Sequence, residues 1–443
     1  MSTKTLSDFV GTLASQLRVV RRDLHKHAEA GWTEFRTGSL VIQELRKIGG
    51  WDVVYGPSIF SRDHMAGLPD ASVLKTHQER AIAQGADPAL VAAMTGGFTG
   101  VVATMGCGQG PTVALRFDMD ALDLNESTDP AHRPVAEGFA SQNPGAMHAC
   151  GHDGHVAIGL GVARTLAAFR EELHGTVKLI FQPAEEGVRG ARAMAEAGVV
   201  DGVDYLLAAH LGFKATRTGL VICETSGFLA TSKLDAVFTG VPAHAGAAPH
   251  TGKNALLAAA AGVLNLHAIA RHGEGASRIN VGVLQAGTGR NVVPDRALLK
   301  LETRGETTAI DGFMLAEAQR VLRGAAAMWD VDIELRPMGC AAGARSDPAL
   351  AAVVHQAAAE TPAVHEIEAA GGLGGSEDCT WFMDRVQRAG GMACYAMVGT
   401  ALAAAHHDSR FDIDEASLPI GVEVLARAAM ALLRPGGGPR RPQ

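Results

Sequence analysis

Between Met147 and His155 the chain reads "MHACGHDGH", with three histidines, a cysteine and an aspartate in nine residues. Such a cluster is either a polar turn or a place for a cation. Cys150 and His152 stand two apart in a stretch that reads as irregular, so both side chains can face one centre. Zinc and similar ions accept thiolate, imidazole and carboxylate together. His155 falls in the cap region of the following helix and reads as structural. "FQPAEEG" then sets Glu185 beside Glu186. Adjacent carboxylates repel unless something positive lies near them. One of the two can hold a metal while the other takes a proton from bound water; the competing reading is an exposed helix start, where acids favour the dipole. His210 leaves the apolar run "YLLAA". His406 and His407 stand between "ALAAA" and "DSRFDIDEASL", and only one of them need be a ligand.

A second set of polar residues lies mid-chain. His244 sits in the Gly/Pro/Ala stretch "GVPAHAGAAPH", Arg290 and Asn291 in "GTGRNVVPDRA", and Arg304 in "LETRGE". They suit a substrate carboxylate or an oxyanion, or else plain turn and surface roles.

The hydrophobic periodicity predicts elements that would carry these groups. Amphipathic helices are expected over 4–28 and 34–48, with strands at 100–106 and 112–120 forming a hairpin through a Gly/Pro turn. Between them, 58–96 reads as a local excursion holding one helix at 74–93. A helix at 154–171, a strand at 175–183, a helix at 187–197 and a strand at 203–211 follow. Strands alternating with helices imply a parallel or mixed sheet covered on both faces. In such sheets ligands sit beyond the carboxyl ends of strands. Asp118 and Asp120, Glu185 and Glu186, and His210 all stand at predicted strand ends. From 231 to 339 the order becomes β-α-β-β-α-β, the ferredoxin-like arrangement. The expected fold is therefore α/β: a catalytic domain with a mixed, helix-flanked sheet, discontinuous over 1–226 and 341–443, and an inserted ferredoxin-like α+β satellite domain over 227–340. The tail "RPGGGPRRPQ" reads as disordered.

Composition narrows the function classes. With 47% hydrophobic residues, the 443-residue chain can build a large core. Its net charge of −8 disfavours binding to a phosphate backbone, so no nucleic-acid partner is expected. The six cysteines lack the spacing of a disulfide framework, which suits a reducing, cytoplasmic setting. No signal peptide or membrane span is expected from the apolar runs. The nucleophile elbow, the dinucleotide fingerprint and the phosphate loop are missing; "GCGQG" lacks the Lys-Ser/Thr that a phosphate loop needs.

In order, "RFDMDAL", "MHACGHDGH", "FQPAEEG", "AAHLG", "HAGAAPHTGKNAL" and "HHDSRFDIDEASL" resemble the successive motifs of the M20 metallopeptidase and amidohydrolase group, over nearly the whole chain. The nearest branch holds aminoacylases, hippurate hydrolases and auxin-conjugate hydrolases. Within it, "GWTEFRT", the 58–96 excursion, "GFTGVVAT" and "HHDSRF" resemble the p-aminobenzoyl-glutamate hydrolase subgroup, whose members pair two related kinds of subunit. One departure is "HAEAGW", where many members of the branch carry Pro-Glu-Leu-Gly.

The resemblance implies two divalent ions, Mn²⁺ or Zn²⁺, bridged by Cys150 and completed by His152, Glu186, His210 and His407. His407 is preferred to His406 because its spacing to Phe411 matches the family's late His-x-x-x-Phe element. Glu185 would be the general acid/base. Asp118 stands where other members place a metal-binding histidine, for which His152 would compensate. Asp120 and Asp153 would orient the ligands from behind. His244 would polarise the scissile carbonyl across a dimer interface, with Asn291 assisting. Arg290, Arg304 and Lys233 are candidates for the carboxylate of an acidic substrate. The implied partners are a small amide substrate bearing a carboxylate and either a second copy, giving a homodimer, or a related second subunit, giving a heterodimer. Two rival readings remain: a general N-acyl amino acid amidohydrolase with the same chemistry, and a non-catalytic assembly subunit. The intact Glu185–Glu186 pair speaks against the latter.

Overall fold

The computed structural model describes residues 5–439. Two compact units emerge: one comprises the chain up to Gly227, Arg345–Leu373 and everything from Asp378; the other comprises Phe228–Ala344 with Gly374–Glu377.

The first unit begins with α1 (Leu6–Lys26) and α2 (Phe35–Ile48), then β1 (Asp52–Tyr55), α3 (Ala71–Ala83), α4 (Pro88–Ala93), β2 (Val101–Gly106), β3 (Thr112–Asp118) and the short α5 (Arg133–Ala136). Next come α6 (His152–Ala168), β4 (Thr176–Gln182), α7 (Ala191–Glu196), β5 (Tyr205–Leu211) and β6 (Leu220–Ser226). Helix α1 starts on a reciprocal capping box between Thr5 and Asp8. It buries Val10, Leu13, Leu17, Arg21, Leu24 and His25 at three- and four-residue spacing. Two of those six, Arg21 and His25, are basic.

The second unit runs β7 (Ala230–Thr239), α8 (Ala255–His267), β8 (Ser277–Ala286), β9 (Arg296–Gly305), α9 (Thr308–Met328) and β10 (Asp332–Ala341). Its antiparallel sheet has the order β10-β7-β9-β8. Leu234, Ala236, Phe238, Leu299 and Leu301 pack with Ala258, Met314, Ala318 and Leu322 of the two helices. The chain then returns to the first unit through α10 (Pro348–Ala359), β11 (Glu366–Gly372), α11 (Thr380–Arg388), β12 (Met392–Val398) and α12 (Ser417–Leu432).

The large sheet has the order β1-β2-β4-β3-β5-β12-β6-β11. Within that row β4, β3, β5 and β12 run parallel to one another, so their carboxyl ends share one edge. β12 is buried at every residue, as expected for a strand covered on both faces.

Several expected elements need correction. β2 and β3 do not form a hairpin, because β4 lies between them, antiparallel to β2 and parallel to β3. The excursion holds two helices, since the chain turns at Gly85 with φ +94° and restarts on an Asp87 cap and Pro88. α6 begins at His152 itself, so that histidine is the first residue of a helix and not part of an irregular stretch. Of the tail 434–443, the part up to Pro439 is described, and the Pro439 carbonyl accepts from the Tyr205 hydroxyl; the remainder lies outside the described residues. Among the described residues, no helix is long and apolar enough to cross a membrane.

Candidate metal centre

The shared strand edge carries the site. Asp118 ends β3, and Asp120 follows two residues later. Glu185 and Glu186 follow β4, His210 is the penultimate residue of β5, and His406 and His407 lie in the loop after β12. Gly151, at φ +90°, turns the chain between Cys150 and the start of α6, a conformation that suits glycine. Cys150, His152 and His210 then bring one ligand atom each within 4.8 Å of one another, as do Cys150, Glu186 and His407, and His152, Glu185 and Glu186.

Hydrogen bonds fix which ring nitrogen of each histidine is free. His152 Nδ1 faces the Asp120 carbonyl at 2.9 Å, so it carries the proton and donates. That leaves Nε2 as a lone pair, and this buried atom has no hydrogen-bond partner. His210 Nδ1 likewise donates to the Leu211 carbonyl at 2.8 Å, turning its Nε2 towards Cys150 Sγ, 3.5 Å away. Glu186 Oε1 is also buried without a hydrogen bond, 3.5 Å from His407 Nε2. Buried polar atoms are ordinarily satisfied. Two such orphans beside a thiol and a third aimed lone pair are what a bound cation would satisfy, and the donor set of sulfur, nitrogen and carboxylate oxygen suits a divalent transition metal.

The electrostatics point the same way. Burial, reinforced by Glu186 and Glu185, pushes the Cys150 thiol well above its usual range. Burial opposes charge on His152, but Asp118 and Cys150 overcome it and raise its affinity for a proton. A cation would compete for the same lone pair and hold the sulfur as thiolate.

Around this set stands a buried framework. Asp120 accepts from Glu185 N at 3.0 Å and from Glu186 N at 2.9 Å, one on each carboxylate oxygen. It thereby fixes a turn in which Ala184 and Val188 take positive φ. His155 accepts from Leu211 N through Nε2 at 2.9 Å and faces Asp118 Oδ1 through Nδ1 at 2.5 Å. Both its nitrogens are engaged, so His155 anchors β5 to β3 and offers no free lone pair to a metal. Asp118 is also paired with Arg116. Burial opposes charge on its carboxyl, but His152, Arg116 and His155 outweigh burial and keep it ionised. Asp153 caps Gly154 N, meets His25 Nδ1 and lies 2.8 Å from Arg21 Nε. Arg21 reaches Asp412 Oδ1 at 2.8 Å, and Arg133 holds the other oxygen of Asp412. Arg21 thus joins the segment bearing His152 to the segment that follows His407.

Sequence reasoning overlooked Arg21, His25, Arg116, Asp378 and Asp412. Asp378 accepts from Gln182 Nε2 and from the backbone N–H groups of Gly190 and Ala191, behind the Glu185–Glu186 turn. An arginine flanked by apolar residues in the strand "TVALRFD" was the available signal, since a fully buried charge needs a partner.

The mid-chain residues all lie in the second unit. His244 and Asn291 stand on adjoining segments, with Ala245 N donating to the Asn291 carbonyl, and Arg290 beside them is exposed. His244 Nδ1 accepts from Gly246 N and Ala247 N, so its proton sits on Nε2. Arg304 is bonded to Glu302 at 2.9 Å, and Lys233 faces Glu302 across β7 and β9.

Residues 114–431 match peptidase family M20/M25/M40. The chain is 53% identical to one subunit of the p-aminobenzoyl-glutamate hydrolase of Escherichia coli (strain K12), over 96% of this chain and 98% of that one. It is 52% identical to the indole-3-acetyl-aspartic acid hydrolase of Enterobacter agglomerans, with the same coverage. Among solved structures, an aminobenzoyl-glutamate utilization protein from Klebsiella pneumoniae superposes with a TM-score of 0.84 at 45% identity, covering 96% of this chain and 98% of that one. A dinuclear metal-binding M20 peptidase from Bacillus subtilis gives 0.64 at 25%, covering 96% and 99%. Six ordered motifs, a cluster of orphaned ligand atoms and these likenesses agree: the chain belongs to the M20 family of metal-dependent hydrolases.

Proposed function

We propose that this chain hydrolyses the amide bond joining an aromatic acyl group to an acidic amino acid, with p-aminobenzoyl-glutamate as the leading substrate. The observation that carries the reading is the pair of unsatisfied ligand atoms on His152 and Glu186, converging with Cys150 Sγ and His210 Nε2 beside a second carboxylate, Glu185. The two relatives above 50% identity support the substrate class. Their names differ in the acyl group, p-aminobenzoyl against indole-3-acetyl, and share an amide to an acidic amino acid. Indole-3-acetyl-aspartate is therefore the second candidate.

Cys150, His152, Glu186, His210 and His407 would hold two divalent cations, with manganese and zinc both suited to the donor set. When bound, such a pair acidifies a water and polarises a carbonyl. Glu185 takes the water's proton as its oxygen bonds to the amide carbon. The C–N bond then breaks, and Glu185 passes that proton to the departing amine nitrogen. Asp120 keeps Glu185 and Glu186 apart in direction by holding both their backbone N–H groups. Asp118 and Asp153 hold His155 and the start of α6. His244, whose Nε2 carries its proton, donates to the carbonyl oxygen as charge develops there, and Asn291 assists. Arg290, Arg304 and Lys233 are assigned to the substrate carboxylate. The second unit is read as a ferredoxin-like satellite that serves as lid and assembly surface. The assembly is a homodimer or a pair with a related second subunit; the Escherichia coli relative is itself named as one subunit of its hydrolase.

The test is turnover of an amide panel by Mn²⁺- and Zn²⁺-loaded protein, alone and with a co-expressed second subunit. Cleavage of p-aminobenzoyl-glutamate or indole-3-acetyl-aspartate at least tenfold above acetyl-methionine is expected. Preference for simple N-acyl amino acids would overturn the substrate class, and inertness toward every amide would overturn the enzyme reading.

A further inference from the structure

The pair His406–His407 is divided by geometry. His407 takes φ +66° and donates its backbone N–H to the Ala149 carbonyl, while its ring faces Glu186. His406 turns the other way, into a shaped seat. Its ring stacks on Phe213 at 4.4 Å and 16°, and meets Phe411 at 4.9 Å. Gly212 gives it room: a Cβ there would stand 2.8 Å from His406 Nε2. Phe213, itself at φ +51°, aims its backbone N–H at His406 Nε2, 2.9 Å away.

A backbone N–H can only donate, so Nε2 accepts, and the single proton of the neutral ring sits on Nδ1. That nitrogen lies 3.7 Å from Cys150 Sγ. The ring therefore has no lone pair left for a cation. We infer that His406 is a positioning residue that donates a hydrogen bond from Nδ1 to the Cys150 sulfur and so restrains the electron density this sulfur gives to bound metal. This rests on the reading of Cys150 as a ligand.

A thiolate relieved of a hydrogen bond is a stronger donor, and its sulfur-to-metal charge-transfer band moves to lower energy. Cobalt(II)-loaded protein reports this directly, without turnover. Two amide substitutions separate the nitrogens with little change in polarity. In His406→Asn the side-chain amide occupies the Nδ1 position and can still reach the sulfur. In His406→Gln it occupies the Nε2 position and cannot. The expected result is a near-ultraviolet sulfur-to-cobalt band in the wild type, the same band in His406→Asn, and a band shifted to longer wavelength in His406→Gln. Metal content, measured in parallel, should remain at the wild-type stoichiometry in both. Unshifted bands in both variants, or equal shifts in both, would overturn the inference. A wild-type cobalt protein lacking any sulfur band would instead overturn the ligand reading of Cys150. Should His406→Gln fail to fold, Gly212→Ala removes the same bond by crowding the ring out of its seat and should give the same red shift.

Discussion

Asp120→Asn isolates the part played by the framework behind the two glutamates. The side chain keeps its shape, but one of its two acceptors becomes an N–H₂ donor. Asp120 now accepts from Glu185 N on one oxygen and from Glu186 N on the other. In the variant, whichever way the amide is placed, one backbone N–H faces another donor. A hydrogen bond to an ionised group contributes about 1.5–3 kcal/mol, and a buried donor left without a partner costs a comparable amount. The turn has little to fall back on, because Ala184 and Val188 are already at positive φ, a conformation costing on the order of 1–3 kcal/mol in a non-glycine residue. If the turn relaxes, Glu185 and Glu186 move together. At 1.36 kcal/mol per tenfold in rate, a loss of about 1.5–3 kcal/mol lowers turnover by roughly 10- to 150-fold. Steady-state kinetics with saturating metal, alongside metal analysis, reads this out. Wild-type kcat/KM with normal metal content would refute the claim that Asp120 sets the direction of the pair.

Glu185→Gln should keep its metal and lose about 10²- to 10⁴-fold in turnover, the usual contribution of a general acid/base; loss of metal would show that the roles of Glu185 and Glu186 are reversed. Cys150→Ala should lower bound metal, and full retention of two ions per chain would remove the sulfur from the centre. His155→Leu strands Leu211 N–H and one oxygen of Asp118, and should cost about 1–3 kcal/mol for each stranded group, seen as a lower urea midpoint; an unchanged midpoint would mean β5 needs no such anchor. His148 is fully buried with no hydrogen bond to either ring nitrogen, and burial pushes it down to about 4 from 6.5. Between those values the unfolded chain binds more protons than the folded one, so stability rises with pH across this window and is lost as pH falls from 6.5 towards 4. The full effect is about 3 kcal/mol. His148→Phe should flatten that limb of the urea stability profile, and an unaltered slope would assign the acid sensitivity elsewhere.

The residues that cluster at the candidate site could be picked out in the sequence because their chemistry is concentrated: Cys150-x-His152, the Glu185–Glu186 pair and the double histidine each stand out against apolar flanks. The framework could not. Arg21 and His25 look like the polar face of α1, and only the fold shows that face turned inward onto Asp153 and Asp412. His155 reads as a cap because its acceptor role depends on Leu211, which lies in β5. Spacing to Phe411 favours His407 over His406, but the seat that engages His406 depends on the positive φ of Phe213 and on its N–H, which no spacing reports. The hairpin expected at 100–120 failed for a similar reason. Its Gly/Pro turn is real, but pairing is decided by β4, which arrives later in the chain and fits between both strands. β1, β6 and β11 escaped notice, being short, or flanked by polar residues, or glycine-rich at their ends.

Arg21 belongs to the first helix, and one of its carboxylate partners, Asp412, lies 391 residues downstream. During synthesis, α1, Cys150, His152, Glu186 and His210 leave the ribosome long before that partner exists. Until Asp412 arrives, Arg21 and Arg133 lack the carboxylate they share, and the last histidines are absent. The nascent chain therefore lacks part of the framework behind His152 until the segment around Asp412 is synthesised. The buried contacts of Arg21 thus span the chain from its first helix to the segment around Asp412, and they form only once that segment has been made.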